Sequence, residues 1–291
     1  MPSPTLHPAA YTALVDLALL EDLGPEGVDL TTAWLVPAQA QATATIIARR
    51  PGVVAGLEVA GVVFNKISPQ TSCTPRVEDG AALLPGQVLL ELAGPARAIL
   101  TGERTALNFL QRLSGVATLT RTFVEAVAGT SARITDTRKT TPGQRALEKY
   151  AVCLGGGVNH RFGLYDAVLI KENHAVAAGG LCQGLRLAHQ GARDQGRRVR
   201  LMAEARNQDE VRSAAAGDPD RILLDNMDLA ELRQAVHFLR REAPQVEIEA
   251  TGDVNLNTVR QIAETGVDFI SIGALTHSAP ALNLSLLFSG T

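Results

Sequence analysis

Six short apolar, β-branched runs mark off the second half of the chain: "ARITDT" (132–137), "AVLIK" (167–171), "VRLMAEA" (199–205), "RILLDN" (221–226), "VEIEATG" (246–252) and "VDFISIG" (267–273). Helix-like stretches lie between most of them, such as "DLAELRQAVHFLRREA" (228–243) and "NLNTVRQIAETG" (255–266). In the latter, Val259, Ile262 and Ala263 keep helical spacing, and Gly266 stands where a C-cap is expected. Strands about 22–35 residues apart with helices between them are βαβ units and demand a parallel sheet. Six strands are too few for a complete eight-stranded barrel. The expectation is an α/β protein whose second half is an incomplete, TIM-like (β/α) barrel.

These predicted strands end on polar groups: Arg138 and Lys139, then Lys171, Glu204, Asp225, Thr251 with Gly252, and Gly273. In α/β barrels that end of the sheet carries the active site. Buried parallel strands should read as continuous apolar runs, so a charge at each tip is tolerated best where all the tips face one hydrated mouth. The first ~110 residues read differently. A helix is predicted around 9–22, strand-like sequence over 43–56, a helix over 57–66 and a strand over 86–94. This gives an N-terminal open-faced α/β domain (1–112) with an antiparallel or mixed sheet. The barrel follows over 113–291, with a C-terminal tail able to pack back on the first domain. A helix predicted over 102–115 links them and lines up Arg104, Asn108 and Arg112 at i, i+4 and i+8.

Charge narrows the partners. Net charge is −3 and the sequence pI about 6.1, so no general basic field suits nucleic acid. No apolar run reaches the roughly 18–20 residues of a membrane helix. The first residues, "MPSPTLHPAAYTALVDLALLEDLG", lack the cationic start of a signal peptide. Cys73, Cys153 and Cys182 fit no metal or disulfide spacing, which suits a reducing cytoplasm. Of 27 Lys and Arg only four are Lys: Lys66, Lys139, Lys149 and Lys171. Lys149 reads as a helix-surface residue. Lys139 and Lys171 persist against an Arg-favouring background, which points to a need for compact point charges.

Three constellations carry chemistry. "TDTRKTTPGQR" (135–145) sets Arg138 and Lys139 among hydroxyls where a strand gives way to a loop. "CLGGGVNHRFGLYD" (153–166) places His160 beside Arg161 after three glycines, a donor next to a bidentate carboxylate binder. It matches no nucleotide fingerprint. Convergence of Arg138, Lys139, Arg161 and Lys171 would hold a strongly anionic ligand. Glu204 and Asp225 opposite them suit Mg²⁺ or sugar hydroxyls, although structural ion pairs with the same cations would use them equally well. The loops "ATGDVN" (250–255) and "SIGALTHS" (271–278) offer Gly252 and Gly273 for close backbone approach to a phosphate.

The long motifs "TDTRKTTPGQR", "GGGVNHRFGLYDAVLIKENH", "GERTALNFLQRLSGVATLTR" and "IGALTHSAPALNLSL" closely resemble the quinolinate phosphoribosyltransferase family, over nearly the whole chain. The resemblance implies an open-faced α/β sandwich followed by an incomplete barrel. It also implies a homodimer, or a hexamer of dimers, with sites shared between subunits, and use of Mg²⁺. The reaction implied joins quinolinate to phosphoribosyl pyrophosphate and releases pyrophosphate and CO2, giving nicotinate mononucleotide for NAD synthesis. Carried over by motif, Arg138, His160 and Arg161 bind quinolinate's carboxylates, with Arg104 arriving from the partner chain. Lys139 and Lys171 neutralise pyrophosphate and substrate carboxylates. Glu204 and Asp225 take ribose hydroxyls and Mg²⁺. Thr251, Gly252 and Gly273, with His277 nearby, take the 5′-phosphate. Two features depart from the family pattern: Thr251-Gly252-Asp253 replaces Ser-Gly-Gly or Ser-Gly-Asn, and "GPEGVDLTT" is longer than "GRGDLT". An Asp beside a phosphate loop is expected to turn its side chain away. The readings left beside this one are a molybdenum-transport-associated paralogue and an aldolase-like barrel forming a Schiff base on Lys139 or Lys171.

Overall fold

A computed structural model describes residues 5–290; Met1–Pro4, the start of the stretch read as lacking a signal peptide, lie outside it. The strands are β1 (Gln41–Ala48), β2 (Gly52–Val53), β3 (Ser72–Pro75), β4 (Ala82–Leu83) and β5 (Val88–Pro95). There follow β6 (Arg133–Thr135), β7 (Ala167–Ile170), β8 (Arg200–Ala205) and β9 (Arg221–Asp225). The last are β10 (Glu247–Thr251), β11 (Phe269–Ser271) and β12 (Leu284–Gly290). They fall into two compact units.

The first unit takes the chain up to Arg121 together with Thr140–Gly156 and the segment from Ala274 onward. Its main sheet has the order β12-β1-β5-β3, antiparallel throughout. β1 alternates: Ala42, Ala44 and Ile46 are buried, while Gln41 and Thr43 face solvent. That period-two pattern is the signature of a sheet with one covered face. The run predicted over 43–56 breaks after Ala48, because Pro51 supplies no N–H to a ladder. Helix Leu57–Ile67 buries Leu57, Val59, Ala60, Val63 and Phe64, and its first N–H groups, at Gly56 and Leu57, donate to Asp79 at 2.9 and 3.1 Å.

The helix predicted over 102–115 is part of one continuous helix, Ala96–Ala126. The expected division at 112/113 falls inside this helix, since nothing in "FLQRLSGVATL" breaks the i→i−4 ladder. Gly115 sits in that helix because a Cβ there would lie 2.1 Å from the carbonyl oxygen of Pro280. Gly115→Ala should cost about 3 kcal/mol and lower the melting temperature by roughly 6–12 °C. Calorimetry showing no shift would rule out this close approach.

Lys149 is corrected. It is 2% exposed, in helix Arg145–Leu154, whose Leu147, Glu148, Ala151, Val152 and Leu154 are buried as well. The helix keeps an apolar stripe at Leu147, Ala151 and Leu154, but burial extends beyond it around most of the circumference. Glu148 is fully buried and satisfied by Arg112 (2.6 Å), the Thr141 amide (3.0 Å) and the Thr141 hydroxyl (2.8 Å). Arg112 also donates to the carbonyl of Ala279 at 3.0 Å, which fixes the segment that leads into β12.

The second unit comprises Thr122–Lys139 and Gly157–Gly273. Its six strands have the order β6-β11-β10-β9-β8-β7, all parallel. All six match the predicted runs. β6 and β7 end the order and do not pair, so the barrel is incomplete. Helix Leu229–Glu242 opens on a capping box, Asp228 with Glu231. The helix predicted over 255–266 shrinks to Val259–Ala263, because the Thr258 hydroxyl satisfies the Asn255 backbone and the Asn255 side chain accepts the Asn257 N–H in turns instead. Among the described residues, no helix is long and apolar enough to cross a membrane.

Candidate active site

The parallel sheet brings all its C-terminal strand ends to one edge, and a cavity of about 480 Å³ opens there. Its walls come from the second unit alone. They include Arg138, Lys139, His160, Arg161, Lys171, Glu204, Asp225, Thr251, Gly252 and Gly273. Ten of the twelve residues singled out from the sequence thus converge. Arg104 and His277 do not: they belong to the first unit, where both are exposed. His277 ends the short helix Ala274–His277, and its Nδ1 lies 2.6 Å from the Ser278 hydroxyl.

A backbone zipper joins the Arg-Lys loop to the His-Arg loop. Val158 bridges Thr135 in parallel, with its N–H donating to Ile134 at 2.9 Å. Fully buried Asp136 then accepts the His160 N–H at 2.8 Å. The Lys139 amide donates to the Thr137 hydroxyl at 3.0 Å, turning the chain at the strand tip. On the other loop, Asp166 accepts N–H groups from Gly163 (2.9 Å) and Phe162. Burial pushes the Asp166 carboxyl up, but these bonds and Arg161 outweigh it and hold it below its ordinary value. Arg161 itself donates to the carbonyl of Ala167 at 3.0 Å.

The electrostatics favour an anionic ligand. Burial first, then the charge of Arg138, pulls the Arg161 guanidinium below its ordinary value; Asp166 opposes this only in part. A half-buried guanidinium whose charge is disfavoured by burial and by a neighbouring cation is suited to an anionic ligand. Lys171 sits across the cavity and pairs with Glu204. Asp225 stands beside Thr251 in register on the neighbouring strand.

Gly252 has φ +124°, and a Cβ there would meet Oδ1 of Asn226 at 2.3 Å. Asn226 is itself left-handed (φ 53°), and its N–H donates to the Thr251 carbonyl at 3.0 Å. Only glycine fits this approach, which leaves the 252–253 backbone open to the cavity. Asp253 is exposed and is among the residues that line the cavity.

Sequence reasoning missed Leu169, Leu223, Asn226 and Glu249 as lining residues. The two leucines continue inward as a buried cluster with Ala167 and Met202. Glu249 was within reach of the strand period: Glu247, Glu249 and Thr251 alternate onto one face of β10. Among the described residues, no group of three or more His, Cys, Asp or Glu could hold a metal unaided.

Comparison with known proteins identifies the family. The family model for the quinolinate phosphoribosyl transferase N-terminal domain matches residues 29–114, and that for the C-terminal domain matches 116–287. The nicotinate-nucleotide pyrophosphorylase (carboxylating) of Mycobacterium leprae is 44% identical over 271 residues, covering 92% of this chain and 94% of that protein. A probable enzyme of the same name from Bacillus subtilis is 40% identical, covering 94% of this chain and 91% of its own length. Among solved structures, the nicotinate-nucleotide pyrophosphorylase of Francisella tularensis superposes with a TM-score of 0.91 at 37% identity, covering 98% of both chains. By matched domains, identity and superposed fold alike, this chain belongs to the quinolinate phosphoribosyltransferase family.

Proposed function

We infer that this protein transfers the phosphoribosyl group of phosphoribosyl pyrophosphate to quinolinate with decarboxylation, forming nicotinate mononucleotide in NAD biosynthesis. The observation that carries the reading is the cavity that gathers Arg138, Lys139, Arg161 and Lys171, with Glu204 and Asp225 on the same wall. Quinolinate brings two carboxylates to this cation cluster. Its donor brings a diphosphate and ribose hydroxyls that suit Lys139, Lys171, Glu204 and Asp225.

The chemistry follows from charge. Pyrophosphate leaves C1 of the ribose as an oxocarbenium-like centre develops, and the pyridine nitrogen attacks that carbon. The ring nitrogen becomes positive and stabilises the carbanion left when the 2-carboxylate departs as CO2, and that carbon then takes a proton from water. The side chains orient the two substrates and stabilise the departing negative charge; none needs to form a covalent bond. Backbone at Gly252 and Gly273 receives the 5′-phosphate. The alternation that gathers Glu204 and Asp225 supplies two carboxylates but no protein cage, which fits Mg²⁺ held mainly by substrate phosphates. Bound there, Mg²⁺ would offset charge on the diphosphate. A subunit-sharing dimer, with Arg104 completing the partner's cavity, is part of the proposal. Exposed Arg104 and the exposed apolar residues Leu17, Leu20, Leu30, Trp34 and Leu35 of the first unit support it. A cytoplasmic location rests on composition.

The direct test supplies either quinolinate or nicotinate with phosphoribosyl pyrophosphate and Mg²⁺, and measures mononucleotide and CO2. Quinolinate should be preferred by on the order of 10²-fold or more in kcat/KM, because nicotinate leaves a half-buried guanidinium without its second carboxylate. Comparable turnover of the two acids would overturn the assignment.

A further inference from the structure

Beneath the cavity the sheet interior is charged. Arg221 is 5% exposed and Glu249 0% exposed, in the middle of a parallel sheet. Arg221 lies over the Phe269 ring (3.6 Å to the centroid), with Arg133 also over that ring at 4.2 Å. It is shared by two carboxylates, Glu247 at 2.7 Å and Oε2 of Glu249 at 2.7 Å. That contact anchors one oxygen of Glu249. The other, Oε1, is buried and has no hydrogen-bond partner among the described residues. A buried carboxylate oxygen left so is costly and calls for a function.

Oε1 faces His160. The distance to Nε2 is 3.6 Å, close enough for charge to act and slightly too long for a hydrogen bond. The imidazole side chain is itself only 7% exposed. Its Nδ1 accepts the Arg161 backbone N–H at 2.8 Å. An accepting Nδ1 carries no proton, so neutral His160 must hold its proton on Nε2, toward Glu249. The ring is thus specified at both nitrogens, by a backbone donor on one side and an acceptor-only group on the other.

We propose that Glu249 is a positioning residue: held by Arg221 at one oxygen, it uses the other to keep His160 in the Nε2–H tautomer, so that a neutral ring of fixed orientation forms part of the cavity wall. The role in substrate binding rests on the quinolinate reading above; the tautomer does not.

The test is ¹⁵N NMR of the imidazole in the full-length free enzyme at pH 8, with kinetics alongside. Wild-type His160 should give the Nε2–H pattern; an Nδ1–H or doubly protonated ring would overturn the proposal, and this measurement needs no variant. Glu249→Gln keeps an acceptor for Arg221, which also retains Glu247, but turns an amide N–H toward Nε2. Two donors then face each other, and the ring should shift toward Nδ1–H. KM for quinolinate should rise about tenfold, with kcat changed far less. Glu249→Asp remains acceptor-only and should preserve the wild-type spectrum, even if Glu249→Gln fails to fold. A spectrum unchanged in Glu249→Gln, or altered equally in Glu249→Asp, reduces Glu249 to a structural charge. An enzyme with the Nε2–H ring that does not use quinolinate would refute the substrate reading and leave the tautomer assignment standing.

Discussion

Lys139→Ala is expected to lower kcat by about 10²–10³, the usual loss when a preorganised charge is removed from a developing anion. The fold should not notice. Lys139 is exposed at the tip of β6, beyond the Thr137 turn, and contributes no buried packing. Arg138, Arg161 and Lys171 remain on the cavity wall, so binding should weaken less than turnover falls. Steady-state kinetics and a thermal melt decide the matter together. Near-normal kcat would remove Lys139 from the charge-stabilising role, and a large fall in melting temperature would make the residue structural.

A larger effect is expected from mixing two inactive proteins. Arg104 does not line the cavity of its own second unit; it stands exposed on the helix Ala96–Ala126. If a two-fold related subunit presents it, Arg104→Ala and Lys139→Ala homodimers are each nearly inactive. Subunit exchange between them then creates one cavity with both defects and one with neither. Activity should rise from near zero to about half of wild type per mixed dimer, the share set by the two-site symmetry. Should Arg104 act within its own chain, every cavity keeps one defect and mixing restores nothing.

The parallel sheet was the most legible part of the chain. All six of its strands were marked by apolar runs of β-branched residues, and the residues at their tips pointed to a shared mouth because period two and a common direction leave few other places for them. Arg138, Lys139, His160 and Arg161 could be grouped by chemistry, but not by mechanism of approach. What unites them is the bridge from Val158 to Thr135 and the carboxylate of Asp136, contacts between segments 23 residues apart that no local pattern encodes.

Other features were hidden because they break the rule that was used to read them. A buried strand is expected to be apolar, and β10 carries Glu249 at its centre, legible only once Arg221 is known to lie beside it. Lys149 followed a surface-like spacing while the helix around it was covered. The end of the chain gave no strand signal distinct from ordinary apolar sequence, since the pairing of β12 with β1 depends on a partner some 240 residues away.

That pairing sets a schedule. β1 is complete by Ala48 and pairs with β5 by Pro95, yet its other edge is closed only by Leu284–Gly290. On a ribosome adding about 5–20 residues per second, Ala48 and Leu284 are separated by tens of seconds of synthesis. Throughout that interval β1 offers a row of unpaired N–H and C=O groups to any passing strand. The six parallel strands, contained within residues 133–271, can assemble before the first sheet is sealed. The half of the protein that begins first is therefore the half that finishes last. Its vulnerability to edge-to-edge aggregation during synthesis is a property of the order in which the chain is made, and in the finished molecule nothing of it is visible.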